Sequence, residues 1–462
     1  VAGLIRRSKA ARLTLFAAVL MLAAMTAHIP VCAADSAGTD YIVKYKEGAV
    51  WMQEDSGVPF DVVSGEEMQR LDREGLLEWY EPDGEMTLLD EPAAQMYQDD
   101  KWDLALIRAD AAFENSYLGQ GVRVGVIDSG INPHEDIAAR LIAGTSYIEG
   151  GDPDNTADTY GHGTQVAGLI AGSGKNGFIG AAPGAEVVPL KITDGKGVTV
   201  STVCRAIYGG INDYDCDILN LSLGIGSEFK TLKEAVEYAG EQGVVIVAAA
   251  GNSGSRAKLY PAAYDTVIGV GAVDSGGAWF YHSNHNDSVF ITAPGVNVKT
   301  IGRYGGYELR SGTSFAAPYA AAAAAVLLGI DDTLTPQDIM GILARTAADK
   351  GDPGYDEYYG AGILDICGSI AYLTGGAIPC EFLPATGAAS QIRNNSAAAV
   401  SGTYVLAEYD ENGVCENVTF YEVTIPPYGT AEIEVPPENT NYGQFVLNTE
   451  KVMPLAIARR SH

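Results

Sequence analysis

A serine, a histidine and an aspartate sit in glycine-flanked stretches far apart in this chain. They are Ser314 in Gly312-Thr313-Ser314, His162 in Gly161-His162-Gly163-Thr164 and Asp128 in Val126-Ile127-Asp128-Ser129-Gly130. A serine hydroxyl is a weak nucleophile until a neutral imidazole takes its proton. A carboxylate beside the imidazole holds the correct tautomer and stabilises the imidazolium. Attack on a carbonyl then creates an oxyanion, which needs hydrogen-bond donors. The side-chain amide of Asn252, in Ala249-Ala250-Gly251-Asn252, and the backbone N–H of Ser314 are candidate donors. Each residue also has an ordinary alternative: an Asp at a strand end caps a turn, Gly-His-Gly-Thr opens a helix, and an Asn after Gly forms a turn. Histidine is scarce, with six in the chain, and His134, His282, His285 and His462 lack comparable flanks.

The elements that must position these residues are legible from patterning. Ala316 to Leu328 is apolar on every face, so a buried helix is expected, with Ser314 where loop becomes helix. Unpaired N–H groups and the positive end of the helix dipole gather there. Val122 to Ile127 reads as a buried strand ending at Asp128, and Thr164 to Ala171 as a helix. Further strands are expected at 186–192, 217–223, 244–248 and 266–272, with helices at 199–212 and 231–240. Apolar strands alternating with helices imply an α/β fold, a mostly parallel, doubly wound sheet covered by helices on both faces. In such sheets functional groups cluster beyond the carboxyl ends of the strands, where Asp128 and Asn252 fall.

Two flanking regions differ in pattern. Asp40 to about Pro92 reads as a small α+β unit, with strands at 41–45 and 76–80 around a helix at 66–74. The polar stretch Glu91 to Asp103 that follows is a plausible cleavage zone. After about Gly376, strands at 403–408, 419–425, 431–435 and 444–447 form a small all-β unit. At the front, Arg6, Arg7, Lys9 and Arg12 precede an apolar stretch, Leu13 to Ala27, and Val31-Cys32-Ala33 offers small residues for a signal peptidase. A secreted, extracellular protein is therefore expected. The net charge of −30 argues against nucleic acid and anionic membranes as partners. Five cysteines lie outside the signal segment, an odd count without C-x-x-C spacing, so no bridge is assigned.

Taken together, VIDSGINPHEDI, HGTQVAGLIAG, LNLSLG, AAAGNSG and SGTSFAAP resemble the subtilisin-like serine proteases (subtilases), in the chain order Asp, His, Ser. The resemblance implies a serine endopeptidase working through an acyl-enzyme, with Asp128, His162 and Ser314 catalytic and Asn252 in the oxyanion hole. It implies protein or peptide substrates, bound extended as an added strand against Leu221, Ser222, Leu223 and Gly224, with Lys191 to Gly197 as the opposing edge. Lys258 and Leu259 would approach the pocket for the side chain before the cut. The Asp40–Pro92 unit resembles the inhibitory pro-regions of the family and implies a self-processing zymogen cut between Glu91 and Asp103. No cofactor is required for the chemistry. A structural calcium is an expectation, with Asp136 and Asn176 as ligands. The boundaries read 1–34 for the signal peptide, 35–95 for the pro-region, 96–376 for the peptidase domain and 377–462 for the β-rich domain. Gln165 departs from the family, which usually has histidine there. Leu383-Pro384-Ala385-Thr386-Gly387 matches a cell-wall sorting signal, which would mean cell-surface association. It lacks the apolar segment and basic tail such signals need, and reads instead as a linker.

Overall fold

The computed structural model describes residues 39–46, 57–89, 101–109, 112–113, 117–175, 177–195 and 197–375, and the backbone of strands between 381 and 456. The expected signal segment lies outside the described residues.

The first unit holds β1 (Asp40–Tyr45), β2 (Asp61–Ser64), α1 (Gly65–Arg73), β3 (Leu77–Pro82) and β4 (Glu85–Leu88). Strands β2-β1-β3 form an antiparallel sheet. Alternation along β1 gives it two buried faces. Val43 packs with Met68, Leu71 and Leu77 under α1, while Ile42 joins the core of the next domain. Ser64 caps α1 by accepting from the Glu67 N–H.

The central domain runs through α2 (Trp102–Leu106), β5 (Arg123–Asp128), β6 (Thr145–Ser146), α3 (His162–Ala171), β7 (Glu186–Lys191), β8 (Val198–Thr199) and α4 (Val200–Asn212). It continues with β9 (Ile218–Leu221), β10 (Leu223–Gly224), α5 (Lys230–Glu241), β11 (Val245–Ala249), β12 (Ile268–Val273), β13 (Ile291–Pro294), β14 (Val298–Ile301) and β15 (Tyr307–Arg310). Three helices follow, α6 (Thr313–Ile330), α7 (Pro336–Thr346) and α8 (Ile366–Leu373). Seven strands pair in parallel in the order β13-β12-β11-β9-β5-β7-β6. The period of two sends alternate side chains to opposite cores. Val245, Val247 and Ala249 of β11 face the core containing α3 and α6, whereas Ile246 and Ala248 face the core containing α4 and α5. This is the doubly wound arrangement expected.

Helix α6 is buried from Thr313 to Leu328, and its small side chains let it lie against the sheet. Among the described residues it is the one helix long and apolar enough by composition to cross a membrane, and 83% of it is buried within the fold. Pro318 lies inside it and has no N–H to offer the Ser314 carbonyl one turn back. Ser222 Oγ donates to that carbonyl instead, at 2.9 Å, so the helix continues without an orphaned acceptor.

Beyond α8 the backbone forms β16 (Glu381–Thr386), β17 (Ala389–Arg393), β18 (Val400–Tyr409), β19 (Cys415–Ile425), β20 (Thr430–Glu434), β21 (Asn441–Leu447) and β22 (Pro454–Ala456). They make a three-stranded and a four-stranded antiparallel sheet. Leu383 to Thr386, read as linker, lies in β16 and pairs with β17. Pro384 is tolerated there because β16 is an edge strand.

Candidate active site

Asp128 ends β5 and His162 opens α3, and both are buried. Gly161 at φ 110° turns the chain into that helix, a conformation that favours glycine. Gly163 permits the close approach of α3 to the end of β5, because a Cβ there would lie 2.2 Å from the Gly130 carbonyl oxygen. His162 Nδ1–H donates to both carboxylate oxygens of Asp128, at 2.9 and 2.8 Å. That assigns the tautomer and leaves Nε2 as the basic nitrogen. The Ser129 N–H also donates to Asp128, at 2.7 Å. The imidazole packs edge-on against Phe315, the residue after Ser314, at 5.3 Å between ring centres.

A second carboxylate braces this pair. Asp158 is 3% exposed. One of its oxygens accepts from Ser129 Oγ and from the Tyr160 and Gly161 N–H groups, at 2.9, 3.0 and 2.6 Å. The other accepts from Thr164 N–H and Oγ1, at 2.9 and 2.6 Å. Ser129 Oγ in turn accepts from the Gly163 N–H, at 3.0 Å. One buried acid therefore ties the residue after Asp128 to the residues on either side of His162. Its only sequence signal was its position four residues before His162 in an acidic loop, which reads as solvated surface.

Ser314 is fully buried because a peptide segment of the same chain lies over it. Its Oγ donates to the Leu89 carbonyl oxygen and, at 3.1 Å, to that of Ser222. Asn252 Nδ2 donates to the same Leu89 carbonyl at 3.0 Å. The amide is aimed by its own oxygen, which accepts from Thr313 N–H and Oγ1, both at 2.9 Å. The Leu89 carbonyl oxygen thus lies between the Ser314 hydroxyl and the Asn252 amide.

The residues before Leu89 fill the cleft as a strand. β4 pairs antiparallel with β10 through Leu223↔Leu88 and Gly224↔Thr87, and with β8 through Glu85↔Thr199 and Met86↔Val198. The Leu89 N–H donates to the Ser222 carbonyl at 3.2 Å. Of the four expected binding residues, Ser222, Leu223 and Gly224 meet the segment. Leu221 instead belongs to β9, inside the main sheet, because the edge begins only where the chain leaves β9. On the opposing side the paired strand is Val198–Thr199, just past the expected 191–197, whose last residue, Gly197, lies against the Glu85 side chain. Leu259 lies against Gly224 and Gly251, while Lys258 turns away to pair with Asp287 at 2.7 Å. Met86 is fully buried among the residues of the α4–α5 core.

The first unit is also fastened electrostatically. Glu81 accepts from Lys230 N–H at 2.9 Å and Thr231 N–H at 2.8 Å, at the start of α5. Asp83 accepts from Ser201 N–H at 3.0 Å and Ser201 Oγ at 2.5 Å, at the start of α4. Each carboxylate thus caps a helix N-terminus and meets the positive end of its dipole. Lys44 pairs with Glu234 at 3.0 Å.

Asp136, expected to bind calcium, is fully buried, and its carboxylate accepts from the Tyr307 hydroxyl at 2.8 Å. Burial and the bond to Asp136 push the Tyr307 hydroxyl up to about 12. Asn176 lies outside the described residues. Among the described residues no group of three His, Cys, Asp or Glu side chains is spaced to hold a metal. Gln165 donates from Nε2 to Glu308 at 3.0 Å, so the amide serves where the family usually has an imidazole. Cys204 and Cys216 are buried, and burial pushes the Cys216 thiol up to about 12, unsuited to nucleophilic work.

Comparison with known proteins agrees with this geometry. Residues 119–362 match the Subtilase family model of the S8 peptidases. The chain is 38% identical over 272 residues to subtilisin DY of Bacillus licheniformis, covering 57% of this chain and 96% of that protein. It is 34% identical over 305 residues to an alkaline protease of Alkalihalobacillus alcalophilus, covering 66% of this chain and 76% of the relative. With subtilisin Savinase of Lederbergia lenta the identity is 36% over 266 residues, 57% of this chain and 96% of the relative. The chain belongs to the subtilase family and is a serine-type endopeptidase.

Proposed function

We propose that the protein is an exported, self-processing peptidase in which Ser314, His162 and Asp128 cut the Leu89–Asp90 bond and then bonds in other proteins. The observation that carries this reading is the Leu89 carbonyl, held by Ser314 Oγ and Asn252 Nδ2 at the end of a strand paired on both edges. Ser314 Oγ adds to the Leu89 carbon, and its proton passes to His162 Nε2, with Asp128 stabilising the imidazolium. The oxyanion takes the Asn252 amide. The C–N bond to Asp90 then breaks, the amine leaving with the proton from His162. Water, deprotonated by the same imidazole, releases the Leu89 carboxylate. Asp90 falls before the zone Glu91 to Asp103 in which the cut was expected.

After the cut, residues 40–89 remain seated as an inhibitor, since their Glu81 and Asp83 caps, the ion pair of Lys44 and burial of Ile42 do not depend on the broken bond. Substrates bind in the same way, extended, with apolar side chains favoured where Leu89 and Met86 sit. The basic and apolar opening of the chain, Arg6 to Ala27, supports export.

The test is expression of the full chain and of Ser314→Ala. Wild type yields a fragment with Asp90 at its N-terminus, and the variant stays intact. A first N-terminus elsewhere would refute the assigned bond. Maturation of Ser314→Ala by itself would refute self-cleavage.

A further inference from the structure

The strongest feature that catalysis leaves unexplained is the buried Asp136 in the turn after β5. Calcium takes six to eight oxygen ligands around a carboxylate of this kind. The surroundings here are different in kind. The Tyr307 hydroxyl directs its proton at Asp136 Oδ2 from 2.8 Å. Phe178 stacks on the Tyr307 ring at 5.6 Å, and the Lys299 ammonium lies 5.0 Å from the centre of that ring. His134 is the neighbouring polar group, with Nδ1 3.6 Å from the same carboxylate oxygen. Its two bonds set its tautomer: Nδ1 accepts from the Asp136 N–H at 3.2 Å, and Nε2–H donates to the Gly306 carbonyl at 3.1 Å. Glu135 is close enough to act on the Tyr307 hydroxyl, but the Asp136 carboxylate itself meets a phenol hydroxyl and an imidazole, whereas calcium takes six to eight oxygens.

We propose that Tyr307 replaces calcium in this protein, its hydroxyl acting as the permanent partner of Asp136. The consequence reaches the active site. Asp136 follows β5, which ends in Asp128, and Tyr307 begins β15, which leads through Arg310 and Gly312 to Ser314. The Tyr307–Asp136 bond and the His134–Gly306 bond pin these two segments together. The family's metal would be dispensable because a phenol and a backbone carbonyl hold the same two pieces of chain.

The experiment uses the full chain carrying Ser314→Ala, so that self-digestion does not intervene. Melting temperature is measured in EDTA and in millimolar calcium, for this protein and for Tyr307→Phe, Asp136→Asn and the double variant. The expected result is the same melting temperature in EDTA and in calcium, to within about 1 °C. Tyr307→Phe should lower it by several degrees in both media. The double variant should lie close to the lower single variant, since the two changes break one bond. A fall in EDTA that Asp136→Asn abolishes would overturn the proposal, as would a Tyr307→Phe protein that melts like its parent. A fall in EDTA that persists unchanged in Asp136→Asn places the ion elsewhere and leaves Asp136 with Tyr307. None of these readings depends on activity, so failure here is separate from failure of the proposed cleavage.

Discussion

Asp158→Asn isolates the brace behind the Asp128–His162 pair. The change keeps size and removes the charge, so its effects follow from hydrogen bonding. Asp158 accepts five hydrogen bonds, three at one oxygen and two at the other. An asparagine whose oxygen keeps the first three must turn its NH₂ toward Thr164. The Thr164 hydroxyl is able to rotate and accept, but the Thr164 N–H cannot. One backbone donor and one amide hydrogen are then left buried without partners, at about 1–3 kcal/mol each, and the surviving bonds lose their charge assistance. A loss of about 3–5 kcal/mol in stability is expected. Thr164 is the third residue of α3, so the strain falls on the turn that begins with His162. A displacement of about 1 Å there lowers kcat about 10²-fold, which corresponds to about 2.7 kcal/mol of barrier. KM should change little if substrate binds where β4 does, on Ser222–Gly224 and Val198–Thr199, since the bonds of Asp158 go to other residues. Ser129→Ala removes two bonds, the one to Asp158 and the one from the Gly163 N–H, but leaves the other four bonds of Asp158, so it should cost less, and in the Asp158→Asn background it should add little. The assays are steady-state hydrolysis of a peptide by the mature enzyme and a melting curve of each variant. An Asp158→Asn enzyme that melts lower but keeps kcat within about threefold of wild type would show that the carboxylate stabilises the loop without positioning His162. A loss confined to KM would contradict the geometry just as firmly.

Two further outcomes follow from carboxylates outside the proposed triad. Glu81→Gln weakens the cap on α5, worth about 1–2 kcal/mol, so the pro-region should leave the processed enzyme about 5–30 times faster, read as a shorter lag before activity toward an added peptide; an unchanged lag would mean the cap adds nothing to retention. Asp103 is buried against the Tyr319 hydroxyl, and its pKa is raised, chiefly by loss of hydration. The folded chain therefore binds this proton more tightly than the unfolded chain. Its stabilising contribution is present below the unfolded carboxylate value, about 4, and is lost as pH rises through the folded value. The melting temperature of Asp103→Asn relative to its parent, both in the Ser314→Ala background, should rise between about pH 4 and pH 7; a constant difference would refute the assignment.

What could be read before the structure, and what could not, divides along a physical line. The parallel sheet was legible because strands buried on both faces are continuous apolar runs, as in Val122 to Ile127 and Val244 to Ala248. Asp128, His162, Asn252 and Ser314 were legible in part through glycines within two residues of each, and Gly163 does allow α3 to approach the end of β5 closely. Asp158 left no such mark. Its function arises from burial beneath a loop that looks like surface, and only the packed turn reveals its five donors. The role of Ser222 was hidden for a similar reason: its hydroxyl answers a carbonyl orphaned by Pro318, 96 positions away in sequence. The proposed cut after Leu89 differs from the expected zone 91–103 because polar composition marks accessible chain, whereas the residue presented to Ser314 is apolar. Leu89 and Met86 occupy the cleft because a cleft lined by core residues selects what can be buried. Asp136 shows the same limit from the other side. A carboxylate in the right motif is equally consistent with a metal and with a tyrosine 171 residues later, and only the placement of Tyr307 distinguishes them.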